Sequence, residues 1–269
     1  MANQLFDDVF NKASIYEMLF FNVKSVLIYP TLKDLEEKNK PLFERWSYLS
    51  EAKFNVAIIK ETDNPEFSEE QNNVYSKNAP NYPEYSRIVA ITYATLYAEK
   101  GTLKRFLKKI VDEDEIMVLT QFMDVLHQLS SDGIKSEPKF FPILCGHNII
   151  SHDIPFLIKR FILNREKFET NKDLPYMLKR SLTIKPWESG IIDVVNVWKF
   201  NGFDYTPLML IADFLGLKKT VDLLPHDELS EYYWNNVGAK PDETLEFVCL
   251  QSATQTNLVI QLMNELRQL

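Results

Sequence analysis

An apolar segment that runs directly into a helix is the feature that most constrains the fold of this chain. Residues 144–161 read LCGHNIISHDIPFLIKRF, a short apolar strand followed by Gly146-His147-Asn148 and then by a helix with Pro155 in its first turn. Proline is tolerated there because its missing N–H would have no intrahelical partner. Asp153 lies at this junction, where open α/β sheets hold functional groups, although an N-cap role for its carboxylate explains the residue equally well.

A second segment predicts a β-hairpin. Residues 87–97 (RIVAITYATLY) are rich in β-branched and aromatic side chains, and the turn Glu99-Lys100-Gly101 allows residues 102–111 to pair back. The returning strand carries Lys104-Arg105 and Lys108-Lys109, the densest basic run of the chain. These side chains either contact phosphates or protect an outer strand edge from aggregation.

The remaining segments complete an α/β pattern of strands, alternating strands and helices, and a helical end. Residues 191–198 fit a strand or a helix equally well, and the polar stretch 61–83 predicts a long excursion or loop. The other predicted elements are strands at residues 24–32 (ending near Tyr29) and 54–60, a helix from an N-cap at Asp112 to Leu129, and helices at 154–163, 206–215, 227–234 and 242–266.

Composition excludes several classes of function. The seven glycines are never closer than 12 positions, which excludes a P-loop and a dinucleotide fingerprint and therefore a nucleotide cofactor. Two cysteines cannot supply a disulfide framework or a Cys-based zinc site, so a reducing compartment is expected. The absence of a signal-peptide pattern and of a long apolar run predicts no membrane association and a cytoplasmic, or virus-encoded and intracellular, location.

The sequence LCGHNIISHDIPFLIKR resembles the second acidic motif of the DEDD 3′–5′ exonucleases, in particular the proofreading type related to family B DNA polymerases. The resemblance spans about residues 22–265 and includes, in order, the segments NYPEYSRIVAITYATL, KPWESGIIDVVNVWKFNGFDYTPLMLIADFLGL and ETLEFVCLQSATQTNLVIQL. It implies a ribonuclease H-like fold, a mixed five-stranded sheet flanked by helices, in a single domain over residues 1–269.

The same resemblance implies a set of site positions. The family uses a D-x-E pair on the first strand, an Asp in the second motif and an Asp on the last helix, preceded one turn earlier by a Tyr or His. Together the carboxylates hold two divalent ions ~3.5–4 Å apart. Among the matching positions in this chain only Asp153 keeps its acid, since the others are Tyr29 and Thr31 for the pair, Ser252 for the last Asp, and Val248 for the aromatic residue.

The sequence therefore predicts a catalytically inactive exonuclease-like protein with no cofactor. No bound metal is expected, and Asp153 is a weak candidate ligand, with Asn148, His152 and Asp193 as possible pocket residues. The alternative is an active exonuclease that uses Mg²⁺ or Mn²⁺ with an atypical ligand set around Asp153 and Asp193. A slipped register that brings Asp34 and Glu36 into the site is disfavoured, because they lie in a charged segment typical of a solvated helix face.

The net charge bears on the partner. The chain carries 30 basic and 38 acidic residues, a net charge of −8, whereas proteins that bind nucleic acids usually carry a basic excess. We expect either a protein partner or a single-stranded nucleic acid, and the charge favours the protein partner.

Overall fold

The computed structural model describes residues 14–60, 66–135, 141–169, 172–183, 190–200, 202 and 204–268. The chain divides into two compact units, each assembled from separate stretches of sequence. Unit 1 comprises Met1–Lys24, Ile88–Leu223 and Glu246–Leu269, and unit 2 comprises Ser25–Arg87 and Leu224–Leu245.

Five strands form one sheet in the order β3-β2-β1-β4-β5. The β1–β4 and β4–β5 pairs are parallel, and β2–β3 is antiparallel, so the sheet is mixed. This confirms the predicted α/β class with a five-stranded mixed sheet flanked by helices. The strands are β1 (Met18–Leu27), β2 (Ser86–Glu99), β3 (Thr102–Val111), β4 (Ile143–Gly146) and β5 (Ile191–Asp193).

The described residues also form ten α-helices, joined in places by short 3₁₀ turns. A π-helical turn, Ile149–Asp153, directly precedes the fifth helix. The helices are α1 (Leu32–Lys38), α2 (Lys40–Phe54), α3 (Glu69–Asn78), α4 (Glu115–Lys135), α5 (Ile154–Leu163), α6 (Tyr176–Thr183), α7 (Val194–Trp198), α8 (Leu208–Leu215), α9 (His226–Asn236) and α10 (Pro241–Leu266). No helix in the described ranges is long and apolar enough to cross a membrane.

The predicted hairpin is confirmed. Strands β2 and β3 pair from Ala90–Val111 to Glu99–Thr102, which leaves a two-residue turn. Lys100 and Gly101 both have positive φ angles, 50° and 75°. Two-residue turns with both φ angles positive match the right-handed twist of the flanking strands.

Strand β1 begins six residues before the strand predicted at Lys24, and this is the main correction to the predicted elements. All ten of its residues, including Lys24, are buried. A strand covered on both faces does not have to alternate apolar and polar residues. The run from Met18 to Val23 therefore belongs to the strand, which ends at Leu27 and not at Tyr29.

Alternate residues of β1 enter two separate cores of unit 1, because successive side chains of a strand point to opposite faces. Leu19, Phe21 and Val23 pack with residues of α4, α5 and α6. Met18 and Phe20 pack with residues of α7, α8 and α10. The sheet is thus covered by helices on both faces of unit 1.

A buried carboxylate joins the first of these cores to the sheet. Glu115 accepts hydrogen bonds from the Ile88 amide (2.7 Å), from Nε of Arg160 (2.8 Å) and from Nδ2 of Asn164 (3.0 Å). Helix α4 begins at this residue, so the cap lies later than the predicted Asp112. The Asp114 carboxylate accepts from the Ile116 amide at 2.9 Å.

Unit 2 is built around Trp46, whose ring lies 5.1 Å from that of Tyr85 and 5.3 Å from that of Tyr75. The strand predicted at residues 54–60 is wrong, because α2 extends to Phe54 and the carbonyls of Ala57 and Ile59 accept from the Gln71 side chain instead of a sheet.

The excursion predicted at residues 61–83 is corrected where the structure describes it. Residues 61–65 lie outside the described residues, and Glu69–Asn78 form α3. Ser68 begins this helix with a capping box to Gln71, in which each side chain accepts from the other residue's amide. The predicted helices that became α5, α8, α9 and α10 are confirmed, and the ambiguous segment 191–198 divides at Asp193 into β5 and α7.

Candidate functional site

Asp153 is buried against β1 and makes contacts that an N-cap would not make. Its Oδ2 accepts from Nδ2 of Asn22 at 3.1 Å and from the Val23 amide at 3.3 Å. Its Oδ1 lies 2.9 Å from Nδ1 of His152. The side chain makes no capping hydrogen bond to α5, although the residue stands at the N-cap position. The capping interpretation is therefore wrong, and the carboxylate points towards the sheet.

The turn between β4 and α5 places this carboxylate. Gly146 ends β4, and a Cβ at that position would lie 2.1 Å from Cγ2 of Ile149 and 2.9 Å from the carbonyl oxygen of Phe21. Asn148 follows in the left-handed region with φ 61°. The chain thus needs a residue without a side chain next to β1 before the π-helical turn brings Asp153 to Asn22.

Asp193 holds the same turn from β5. Its Oδ1 accepts from the amides of Asn148 (2.8 Å) and Val195 (3.1 Å), and its Oδ2 accepts from the Ile150 amide (3.0 Å). Burial raises the pKa of this carboxyl, while the three amides oppose the rise. Both oxygens are engaged by the backbone, so the geometry gives Asp193 a structural role.

On β1 the residues beside Asp153 are Asn22 and Lys24, which share one face of the strand. Lys24 is 4% exposed, and its ammonium donates to Oε1 of Gln255 at 2.7 Å. Burial lowers the pKa of Lys24 from 10.5 to about 8, and the negative charge of Asp153 opposes this effect. A buried cation and a buried carboxylate thus lie close enough to interact electrostatically.

Helix α10 also contacts this part of β1. The Ser252 hydroxyl donates to the Asn22 carbonyl at 3.0 Å, and Gln255, one turn later, binds Lys24. Val248 and Ser252 are both fully buried. The structure therefore brings Ser252 to Asn22, the strand residue whose side chain also contacts Asp153.

Tyr29 and Thr31, the residues predicted to stand beside Asp153, belong to unit 2 and make other contacts. The Tyr29 carbonyl accepts from the Tyr75 hydroxyl at 2.8 Å. The Thr31 hydroxyl caps α1 by accepting from the Asp34 amide at 3.0 Å. The strand was predicted too late in the sequence, so Asn22 and Lys24 were not among the predicted site residues. The apolar residues 18–21 that precede them are the signal that could have revealed them.

Asp34 and Glu36, the two acids of the slipped register, lie on a partly exposed face of α1. In α1 Asp34 pairs with Lys38 at 2.6 Å, and Glu36 pairs with Lys60 at 2.5 Å. Leu35 between them is buried. Both carboxylates of this motif already have cationic partners within unit 2.

His147 and His152 flank the turn. Burial lowers the pKa of His147, against the attraction of Asp193 and Asp153, and its ring centroid lies 5.9 Å from that of Tyr205. The centroid of the His152 ring lies 5.3 Å from that of Phe156. Cys145 is buried, and burial raises the pKa of its thiol, which disfavours the nucleophilic thiolate.

The donor set around Asp153 does not fit a pair of divalent cations. It contains one carboxylate, an amide, a hydroxyl and the ammonium of Lys24, which repels a metal ion. Among the described residues no group of three or more His, Cys, Asp or Glu side chains is arranged to hold a metal ion. Comparison of the chain with protein-family models, curated proteins and solved structures gave no match.

Proposed function

We propose that this chain is a DEDD-type exonuclease-like protein that has lost its metal ligands and acts by binding nucleic acid or protein instead of by cutting. The observation that carries the proposal is the contact between Asp153 and the sequence Asn22-Val23-Lys24 on β1. In this proposal Asn22 and Lys24 take the two positions of the D-x-E pair. An amide and an ammonium then replace the two carboxylates.

The topology supports the ribonuclease H-like assignment within this proposal. The five-stranded mixed sheet, with an antiparallel β2–β3 hairpin and parallel β1, β4 and β5, agrees with the mixed five-stranded sheet that the resemblance implies. Asp153 follows β4, and Ser252 lies on the last helix. Three separate segments of the resemblance thus meet around one strand.

The charge balance supports loss of catalysis. Two-metal hydrolysis needs carboxylates that offset the repulsion between the cations. In the proposed register Asp153 supplies one negative charge and Lys24 one positive charge, so the pair is close to neutral. Removing one preorganised electrostatic contributor typically costs ~10²–10³ in rate, and three ligands are replaced.

The active alternative would require Asp153 and Asp193 to share the ligand role. Asp193 accepts three backbone amides through its two oxygens, so a metal ion would have to displace the hydrogen bonds that hold the turn. The geometry therefore favours the inactive assignment.

The test is an exonuclease assay of the full chain on 3′-labelled single-stranded DNA, first with Mg²⁺ and then with Mn²⁺. We expect no shortening of the DNA above the enzyme-free blank with either ion. Calorimetric titration with Mn²⁺ should likewise give no heat of binding that differs between the wild type and Asp153→Ala.

The matched control is Asp153→Ala purified in the same way. Metal-dependent shortening by the wild type that disappears in Asp153→Ala would establish an active nuclease and refute the proposal. Shortening that is equal in the two proteins would come from a copurified nuclease and leave the wild-type chain without activity of its own.

A further inference from the structure

The β2–β3 hairpin presents aromatic and basic side chains on one face of the sheet. Tyr97 pairs with Lys104, Thr95 with Phe106, and Tyr93 with Lys108. Paired residues of antiparallel strands lie on the same face, and residues two apart along a strand also share it. Tyr97, Lys104, Phe106 and Lys108 therefore form one surface, here called the hairpin platform.

This face is covered near the base of the hairpin and open towards its turn. The Tyr93 ring lies 5.9 Å from that of Phe122 on α4, so the helix covers the base. Beyond it, Tyr97 is 47% exposed and Phe106 is 51% exposed. The opposite face of the hairpin is packed, since Leu107 joins the second core and Arg105 binds Asn257 of α10 at 2.7 Å.

The arrangement alternates rings and cations. Tyr97 and Phe106 are diagonal neighbours across the two strands, and Lys104 and Lys108 flank Phe106 along β3. The Lys108 ammonium lies 5.2 Å from the centroid of the Phe106 ring. Both lysines are exposed to solvent.

The local charge is opposite in sign to that of the whole chain. Residues 99–111 contain a single acid, Glu99, whereas the chain carries a net charge of −8. The basic residues of this segment are Lys100, Lys104, Arg105, Lys108 and Lys109. The hairpin therefore concentrates positive charge that attracts a polyanion.

We propose that the hairpin platform binds single-stranded DNA, with two bases stacked on Tyr97 and Phe106 and the adjoining phosphates paired with Lys104 and Lys108. Exposed rings on a sheet surface stack unpaired bases, and interleaved cations neutralise the backbone. Bases in a duplex are already stacked on each other and cannot use this surface. The choice of DNA over RNA rests on the proposed function, whereas the platform itself does not.

Protection of the β3 edge from aggregation explains this surface less well than base stacking does. Lysines alone are sufficient to block edge-to-edge pairing of β3. Exposed Tyr and Phe side chains between them work against that purpose, because they add apolar area where aggregation has to be avoided. Stacking on bases accounts for the rings and the lysines together.

The experiment measures binding of the full chain to fluorescein-labelled dT20 by anisotropy over a range of salt concentrations. Tyr97→Ala and Phe106→Ala should each weaken binding about tenfold, which lies within the range of single base–aromatic stacks. Lys104→Gln with Lys108→Gln should reduce the slope of log K against log salt by about 1.4, because each phosphate that a lysine neutralises on a single strand adds roughly 0.7 to that slope. All four side chains are exposed, so the variants should keep the wild-type melting temperature.

Two matched controls test the location. Phe214→Ala removes a ring that is 79% exposed on α8, and Lys77→Gln removes an exposed lysine charge from α3, outside the hairpin. Neither should weaken binding by more than about twofold. Equal losses in these controls, or no binding of dT20 at low salt, would overturn the proposal and leave a protein partner.

If the full chain bound a 20-nucleotide uridine RNA more tightly than dT20, the proposal would also be overturned, because the platform would then bind RNA. The outcome is independent of the nuclease assay. A chain that shortens DNA but loses dT20 binding in Phe106→Ala would refute the proposed function and keep the platform. If the protein showed no nuclease activity and bound no dT20, the proposal for the platform would be refuted and the loss of catalysis would be kept.

Discussion

Replacing Lys24 by methionine should stabilise the protein, because the wild-type chain buries an ammonium ion. The pKa of Lys24 falls from 10.5 in its ordinary state to about 8 in the folded state. At about 1.36 kcal/mol per pKa unit, burial of the charged form costs about 3 kcal/mol at neutral pH. Methionine has a similar length and no charge, but it loses the hydrogen bond to Gln255, worth about 1 kcal/mol. We expect a net gain of about 2 kcal/mol at pH 7.

The gain should depend on pH with a definite sign. Between pH 8 and pH 10.5 the unfolded chain holds the Lys24 proton and the folded chain does not, so the wild-type free energy of unfolding rises with pH through this window. The Lys24→Met variant lacks this contribution. Its advantage over the wild type should be largest below pH 8, shrink above it and vanish at about pH 9.5.

The assay is urea unfolding of both proteins between pH 7 and pH 10, followed by far-UV circular dichroism. Using the difference between the two proteins removes the contributions of other groups, including the buried Tyr75, whose pKa burial raises. Lys33→Met, at an exposed position of α1, is the control and should leave the free energy of unfolding unchanged within about 0.5 kcal/mol. No stabilisation at pH 7, or a gain that does not change with pH, would refute the burial argument.

Two further substitutions test the turn that carries Asp153. Gly146→Ala should lower the free energy of unfolding by about 1–3 kcal/mol, because the new Cβ meets Ile149 and the Phe21 carbonyl, whereas Gly238→Ala, with open space around it, should be neutral in the same urea titration. Asp193→Ala should cost more than Asp193→Asn, since alanine leaves three amides without an acceptor at about 1–3 kcal/mol each for those that stay buried, and thermal unfolding of the two variants measures the difference. Equal melting temperatures for these two variants would contradict the structural role of Asp193.

The sequence by itself was enough to predict most of the helices and strands and to place Asp153 between β4 and α5. The hairpin, the helix after Asp153 and the long last helix follow from patterns over short windows, where local backbone preference and the apolar period agree. These features depend on neighbours in the sequence, so the order of the residues is enough to reveal them.

Only the tertiary structure decided which residues surround Asp153. Strand β1 is covered on both faces, so its pattern gave no alternation by which to fix its register. A charged residue such as Lys24 normally marks exposure, and it is buried here because Gln255, 231 residues away in sequence, accepts its hydrogen bond. The division into two units likewise arises from contacts between distant segments, which local patterns do not encode.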